Sequence, residues 1–389
     1  MNSHFFGKSQ FLDLVDGKVN EISNDIIIFG AGYWGKGIVY LCEFYNIPVH
    51  VCFDNDPKLK GTLFYHDIKC ELPYYTDKLI LISFLDTEKI EQAKKQLNML
   101  GCSNYADINH MELEKRIDVL HDKEYVDLLY YRVFNRRVNW ENPISFNEKI
   151  QWLKINDRKD IYTTMVDKFE VKEFVKSVIG EEYIIPTIAV WDSVEDIDFD
   201  GLPSKYVLKC THDSGSVILV DGEIDRNIIY EKLRTALSVD YYRLSREWPY
   251  KNVRHRIIAE KLLENGNEDI NDYKFFCFSG VVRCFKIDYD RKTFHHANYY
   301  DRECNLLEFG EVVCPPVYDR KISIPDRIDE MIQMAEKLSQ NIPFLRVDFY
   351  CFDNKIYFGE LTFSPCAGFG RFTPDSWDDI LGSWIELKL

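Results

Sequence analysis

Two pairs of polar residues near the C-terminal end could do chemistry together. They are Arg346 with Asp348 in Leu345–Tyr350 (LRVDFY) and Glu360 with Thr362 in Tyr357–Pro365 (YFGELTFSP). Each pair is spaced by two within an apolar run, so on a strand both members project from one face. Asp353-Asn354 between the runs is a turn signal. A hairpin through it would bring the two faces together. Asp348 and Glu360 could then give hard oxygen ligands to magnesium, with water and a triphosphate completing the shell. Arg346 beside them would neutralise phosphoryl charge. The plain alternative is an exposed polar face on a hairpin.

Three further stretches ask for the same ligand. Lys168 follows Val166-Asp167 at the head of a predicted helix. Lys209 ends a strand candidate beginning at Tyr206, just before Asp213-Ser214-Gly215-Ser216. Such a loop can fold over phosphates and offer backbone N–H groups; an ordinary hairpin turn with a solvated lysine is the other reading. Glu260 stands in an otherwise apolar strand candidate, Arg256–Leu263 (RIIAEKLL). An unpaired buried carboxylate is costly, so it needs a partner, either an adenine amino group or a structural lysine or arginine. Asp272 opens the next strand candidate, which also carries Lys274. His212 adjoins the hydroxyl-rich loop.

The elements that must position these residues are antiparallel strands. Hydrophobic alternation with turn signals at Ser279-Gly280 and Asp353-Asn354 predicts hairpins over much of the chain's second part, after a mostly helical stretch from 125 to about 180. The first part reads differently. Continuous apolar runs after Asp25 and Lys78, with helical stretches at Tyr33–Tyr45 and Asp86–Leu100, predict strand–helix alternation around a parallel sheet. Gly30, Gly32 and Gly35 (GAGYWG) follow the first strand directly, and Asp54 ends the second. Glycines there allow a tight turn and close approach of a pyrophosphate, and the acid can accept a ribose hydroxyl. The expected ligand is a nucleotide sugar or NAD; the alternative is that the glycines serve only the turn. The expected organisation is a Rossmann-like α/β domain over 1–115, a charged linker over 116–124 and an α+β catalytic domain with mostly antiparallel sheets over 125–389.

Composition narrows the classes. The 389 residues carry a net charge of −16, which disfavours nucleic acid and anionic membranes as partners. No run approaches the roughly 18 apolar residues of a membrane span, and the N-terminus lacks the pattern of a secretory signal, so a cytoplasmic location is expected. The 11 cysteines form no CxxC pair, unlike a zinc cluster or a disulfide framework.

In order and chemistry the motifs resemble the ATP-grasp ligases, D-alanine–D-alanine ligases included. The closer resemblance, over roughly 125–389, is to the teichuronopeptide-biosynthesis-type (TupA-like) ATP-grasp family. It is carried by Pro143–Lys154 (PISFNEKIQWLK), Arg246–Asn252 (REWPYKN), Ala259–Leu263 (AEKLL), Asp272–Gly280 (DYKFFCFSG) and Gly359–Pro365 (GELTFSP). The resemblance implies ATP and magnesium as cofactors. It implies that Lys168 and Lys209 contact the phosphates and that Ser214, Gly215 and Ser216 cover them. Glu260 would accept from the adenine amino group, with the backbone of Lys261 and Leu262 as hinge, and Asp272 would bind ribose. Asp348, Glu360 and Thr362 would ligate metal, Thr362 standing where the family commonly has asparagine. Arg346 would lie near the reacting acyl phosphate. Beside the resemblance, Lys274 and, from its place next to the hydroxyl-rich loop, His212 are the further catalytic candidates. Gly368 in Pro365–Gly370 (PCAGFG) would admit substrate. The implied reaction joins a sugar carboxylate, such as a uronic acid, to a small amine through an acyl phosphate. Its setting would be bacterial surface or capsular polysaccharide biosynthesis, alongside other enzymes of that process. Two other functions remain in view, an ATP-dependent kinase of a sugar hydroxyl and a non-catalytic nucleotide-sugar-binding protein.

Overall fold

The structure is a computed structural model that describes residues 26–45, 47–56, 65–67, 78–222, 225–263, 270–291 and 293–388. The start of the chain and most of 57–77, on which part of the sequence reading rested, lie outside the described residues. The chain divides into two compact units, Met1–Val138 and Asn139–Leu389.

In the first unit the apolar runs form a parallel sheet. Strands β1 (Ile26–Phe29), β2 (Val49–Asp54), β3 (Tyr65–Asp67), β4 (Ile80–Ile82) and β5 (Tyr105–Asp107) lie in the order β3-β2-β1-β4-β5. Every residue of β1 is buried, as an apolar strand covered on both faces requires. Ile26 and Ile28 pack with α1 (Tyr33–Phe44), α3 (His110–Asp118) and α4 (Asp122–Phe134), whereas Ile27 and Phe29 pack with α2 (Thr87–Met99). Asp86 and Asn109 start α2 and α3 by accepting backbone N–H bonds from the first turns.

The stretch expected as a linker, 116–124, spans the end of α3 and the start of α4. Residues 110–118 are helical and bury Leu113 and Ile117, and α4 buries Leu128 and Tyr131 in the same core as α1. Tyr40 Oη of α1 donates to Asp127 Oδ2 at 3.0 Å, and the buried Arg132 of α4 pairs with Glu114 at 2.9 Å. Both helices therefore stay with the first unit, and the division falls at Val138.

The second unit opens with α5 (Phe146–Asn156), set by a reciprocal capping box between Ser145 and Glu148, then α6 (Ile161–Val166) and α7 (Val171–Ile179). A four-stranded antiparallel sheet follows, β6 (Thr187–Trp191), β7 (Lys205–Cys210), β8 (Ile218–Asp221) and β9 (Ile257–Lys261), in the order β6-β9-β7-β8. It packs against α8 (Arg226–Ser238), which the short α9 (Tyr241–Ser245) follows in the chain. A six-stranded antiparallel sheet has the order β13-β12-β11-β10-β15-β16. Its strands are β10 (Asp272–Phe278), β11 (Val281–Tyr289), β12 (His296–Asp301), β13 (Leu306–Leu307), β15 (Phe344–Phe352) and β16 (Lys355–Thr362). The short β14 (Gly310–Glu311) pairs with β17 (Phe372–Thr373), and α10 (Ile328–Leu338) lies between β14 and β15 in the chain.

Alternation along β10 and β15 sorts the large sheet into two faces. Tyr273, Phe275, Cys277, Leu345, Val347 and Phe349 join the core under α7 and α10. Asp272, Lys274, Arg346 and Asp348 point the other way. The turns Ser279-Gly280 and Asp353-Asn354 have positive φ at both positions, 50° and 84° in the first, 49° and 54° in the second. Such turns match the right-handed twist of their strands. Each hairpin then carries a bulge, between Phe276 and Cys277 of β10 against β11, and between Asp348 and Phe349 of β15 against β16.

Candidate active site

The bulge in β15–β16 decides which residues meet. Pairs nearest the turn run Phe352 with Lys355 up to Phe349 with Phe358; beyond the bulge Asp348 lies opposite Glu360 and Arg346 opposite Thr362. The skipped residue is Gly359, whose added Cβ would lie 3.0 Å from the Asp348 carbonyl oxygen. On the other side of β15, Asp348 is opposite Lys274, and Lys274 is opposite Lys286. One row across four strands therefore reads Glu360, Asp348, Lys274, Lys286.

The charges in this row are paired at short range. Arg346 donates through Nε to Asp348 Oδ1 and through Nη2 to Asp348 Oδ2, both at 2.7 Å. The same Nη2 lies 3.0 Å from Glu360 Oε1 and 3.0 Å from Thr362 Oγ1. Lys274 Nζ donates to Asp348 Oδ2 at 2.8 Å and to Asp272 Oδ2 at 3.1 Å. Asp348 is buried, whereas the Glu360 side chain is 46% exposed. Burial opposes ionisation of Asp348, but Arg346 and Lys274 outweigh it and hold the carboxyl below its ordinary value. Burial likewise opposes the Lys274 charge, and Asp348 and Asp272 hold the ammonium above its ordinary value.

The expected metal pair thus converges: one oxygen of each carboxylate already faces a single cationic nitrogen. Two carboxylates suit magnesium, which takes most of its shell from water and phosphate. Among the described residues no group of three His, Cys, Asp or Glu could hold a metal without such help.

Lys168 and Lys209, the lysines expected at the phosphates, lie close enough for each charge to act on the other. Lys168 Nζ donates to the Asp213 carbonyl oxygen, and its backbone N–H donates to Thr211 O at 3.0 Å. Burial pushes its ammonium below the ordinary value, with the charges of Glu360 and Lys209 also acting on it. Ser214 and Gly215 form the exposed tip of the loop, and Gly215 has φ +108° with open space where a Cβ would be. Ser216 is spent inside the loop: its hydroxyl accepts from Cys210 N at 2.8 Å and donates to Asp213 Oδ1 at 2.7 Å.

Several expected roles meet other partners. Glu260 sits between Lys172 at 2.6 Å and Lys209 at 2.5 Å, so its carboxylate has structural lysine partners. Burial works against its charge, but the two lysines hold it below its ordinary value. The Lys261 N–H of the expected hinge donates to Pro186 O at 3.0 Å, and Leu262 is half-buried. Asp272 pairs with Lys274 and Arg291. His212 is fully buried and stacks on His255, with ring centroids 3.6 Å apart, its Nε2 facing Ala236 O; packing, not reach to a reacting group, explains this histidine. Gly368 is approached by Gln151, which donates to the carbonyls of Ala367 and Gly368 at 3.2 and 2.6 Å, while Lys154 donates to Ala367 O at 2.9 Å. Helix α5 thus ties down the loop expected to admit substrate.

In the first unit the glycine-rich turn faces a cleft of about 320 Å³ lined by Gly30, Gly32, Gly35, Asp54, Ser83 and Lys89 among others. A Cβ on Gly35 would fall 1.8 Å from Gly30 O, whereas one on Gly32 would meet nothing within 4 Å. The expected ribose acceptor is used by the turn itself: Asp54 Oδ2 accepts from Ala31 N at 2.7 Å and Oδ1 from Asp56 N at 2.8 Å. This geometry gives no support to NAD or a nucleotide sugar there.

Lys172, Lys286 and the aromatic pair Tyr241–Tyr250, with centroids 4.7 Å apart, were not singled out in the sequence. Burial, then Glu247 and Glu360, push the Tyr241 phenol up to about 12. The available signal was the Arg246–Asn252 motif for Tyr250, and for Lys286 a charge alternating with apolar residues along β11.

No helix among the described residues is long and apolar enough to cross a membrane. No curated protein matches the chain. Among solved structures, D-alanine–D-alanine ligase from Bacillus anthracis is 15% identical, with 88% of this chain and 86% of that chain covered and a TM-score of 0.30. D-alanine–D-alanine ligase from Helicobacter pylori is 12% identical, covering 93% and 99%, with a TM-score of 0.31. The ATP-grasp ligase PsnB, complexed with a precursor variant, Mg and ADP, is 9% identical, covering 89% and 91%, with a TM-score of 0.30. The family model for TupA-like ATP-grasp proteins matches residues 148–386, well over half the chain and the whole of the site described above. The chain belongs to the TupA-like ATP-grasp family.

Proposed function

We propose that the second unit is an ATP-dependent carboxylate–amine ligase. It activates a sugar carboxylate, such as a uronic acid, as an acyl phosphate and transfers the acyl group to a small amine, in the building of a bacterial surface polysaccharide. The observation that carries the reading is the placement of Asp348 opposite Glu360 with Arg346 Nη2 between them. Asp348 and Glu360 would hold magnesium, with Thr362 beside them; magnesium, when bound, draws charge from the phosphoryl group in transfer. Lys168 and Lys209 would meet the phosphates under the Ser214-Gly215 tip. Arg346 and Lys274 would neutralise the oxyanions of the acyl phosphate. The protein's contribution is positioning and charge neutralisation, consistent with a site of lysines, arginine and carboxylates. We read the first unit as Rossmann-like, on its parallel order with β1 central and its glycine-rich β1–α1 turn.

The test is ADP release with D-glucuronate or D-galacturonate and hydroxylamine in place of the amine. Hydroxamate formed in step with ADP is the expected result. A phosphosugar product without hydroxamate would instead assign a kinase.

A further inference from the structure

The row of charges continues past Lys274 to a carboxylate and an imidazole that the ligase reading does not use. Lys274 Nζ is 3.8 Å from Asp288 Oδ2, and that oxygen is 3.3 Å from His295 Nε2. From Asp348 to His295 the chain of contacts is therefore carboxylate, ammonium, carboxylate, imidazole. Asp288 is 2% exposed at its side chain, while His295 is 36% exposed. Asp288 Oδ1 and His295 Nε2 are both buried and neither has a hydrogen-bond partner among the described residues; Lys286 Nζ stands 3.4 Å from Oδ1, and the His295–Asp288 contact is an ion-pair distance. The bulge in β10–β11 places Asp288 on the site face, opposite Asp272.

We propose that His295, held against Asp288, is the proton acceptor for the attacking amine, so that the amine binds on the β11–β12 side of Lys274. This rests on the ligase reading. The amine arrives as an ammonium ion and must lose a proton before it can attack. Other groups near the row are committed. Lys274 is held protonated by Asp348 and Asp272, and Lys286 by Glu311 and Asp288. Asp272 pairs with Lys274 and Arg291, and Glu311 with Lys286 at 2.6 Å. Of the second unit's four histidines, His212 and His255 stack on each other, and His296 Nδ1 faces Pro315 O at 2.8 Å. His295 alone among them faces a carboxylate of the site.

With Nε2–H toward Asp288, Nδ1 takes the first proton of the ammonium. The freed lone pair forms the C–N bond. The bond between the acyl carbon and the phosphate oxygen breaks with its electron pair on phosphate, which leaves carrying the second proton. Asp288 stabilises the imidazolium formed, while Lys286 and Lys274 oppose it and Asp272 and Glu311 add to the negative field.

His295→Gln tests this in the full chain, with glycine and hydroxylamine as competing nucleophiles on D-glucuronate. Hydroxylamine is largely neutral at neutral pH and needs no base to become nucleophilic. The variant should form the glycine amide about 10²–10⁴-fold more slowly, keep hydroxamate formation within a few-fold, and melt as the wild type does. Amide formation at the wild-type rate overturns the assignment, as does equal loss of amide and hydroxamate. A wild type that releases ADP without hydroxamate overturns the ligase reading itself, and this assignment with it.

Discussion

Asp348 and Glu360 face the same guanidinium but differ in burial, and that difference predicts opposite mutant behaviour. Glu360 is half-exposed, and among the described residues its closest partner is Arg346. Glu360→Gln should leave the thermal melt within about 0.5 kcal/mol of wild type and, on the proposed reading of Glu360 as a metal ligand, lower ADP formation by about 100-fold or more. Asp348 is buried between Arg346 and Lys274. Asp348→Asn should abolish ADP formation and also cost about 3–5 kcal/mol of stability, because it leaves two buried cations short of a counter-charge. Parallel activity assays and denaturant melts separate the two. Near-normal turnover in the Glu360 variant would sink the metal assignment.

The β1–α1 turn shows how one element uses like residues for unlike ends. Gly35 is dictated by packing, since any side chain there would overlap the Gly30 carbonyl. Gly32 has extended backbone at φ −73° and free space in front of it. Gly35→Ala should therefore destabilise the first unit by about 1–3 kcal/mol or more, whereas Gly32→Val should leave its melt nearly unchanged while narrowing the cleft. Equal destabilisation by both would mean that Gly32 is also a packing residue. Any ligand of the cleft is then open to a binding test on a variant that keeps its fold.

Acid should unfold the protein through a shared cause. Glu260, Glu311, Asp288 and Asp348 are all buried, and in each the opposing lysines or arginine outweigh burial and lower the carboxyl pKa. The unfolded chain binds protons near the ordinary values, 4.5 for Glu and 3.8 for Asp, before the folded chain does. The stability from these pairs is fully present above those values and is lost as pH falls through the lowered ones. Urea midpoints should be insensitive to these four carboxylates between neutrality and about pH 5, then fall steeply below pH 4.5. A midpoint that stays flat down to about pH 3 would show that the pairs add little.

Much of this was legible from local pattern. Apolar runs announced the parallel strands, alternation announced the hairpins, and Ser279-Gly280 and Asp353-Asn354 marked their turns, because each of these is set by nearest-neighbour chemistry. The identity of the converging residues Arg346, Asp348, Glu360 and Thr362 was legible too. Their convergence was not. A regular hairpin from the Asp353-Asn354 turn would place Glu360 opposite Val347, on the core face under α10. The bulge at Gly359 shifts the register by one, sends Leu361 into the core and turns Glu360 toward Asp348. The β10–β11 bulge does the same for Lys286 and Asp288. Partners were equally hidden: Glu260 could read as an adenine contact until Lys172 and Lys209 closed on it, and His212 as catalytic until it stacked on His255. The motif residues are written in the chain, but a one-residue register shift and the competition for buried partners are settled only when distant strands pack, because the free energy of pairing a buried charge depends on every neighbour that excludes water from it.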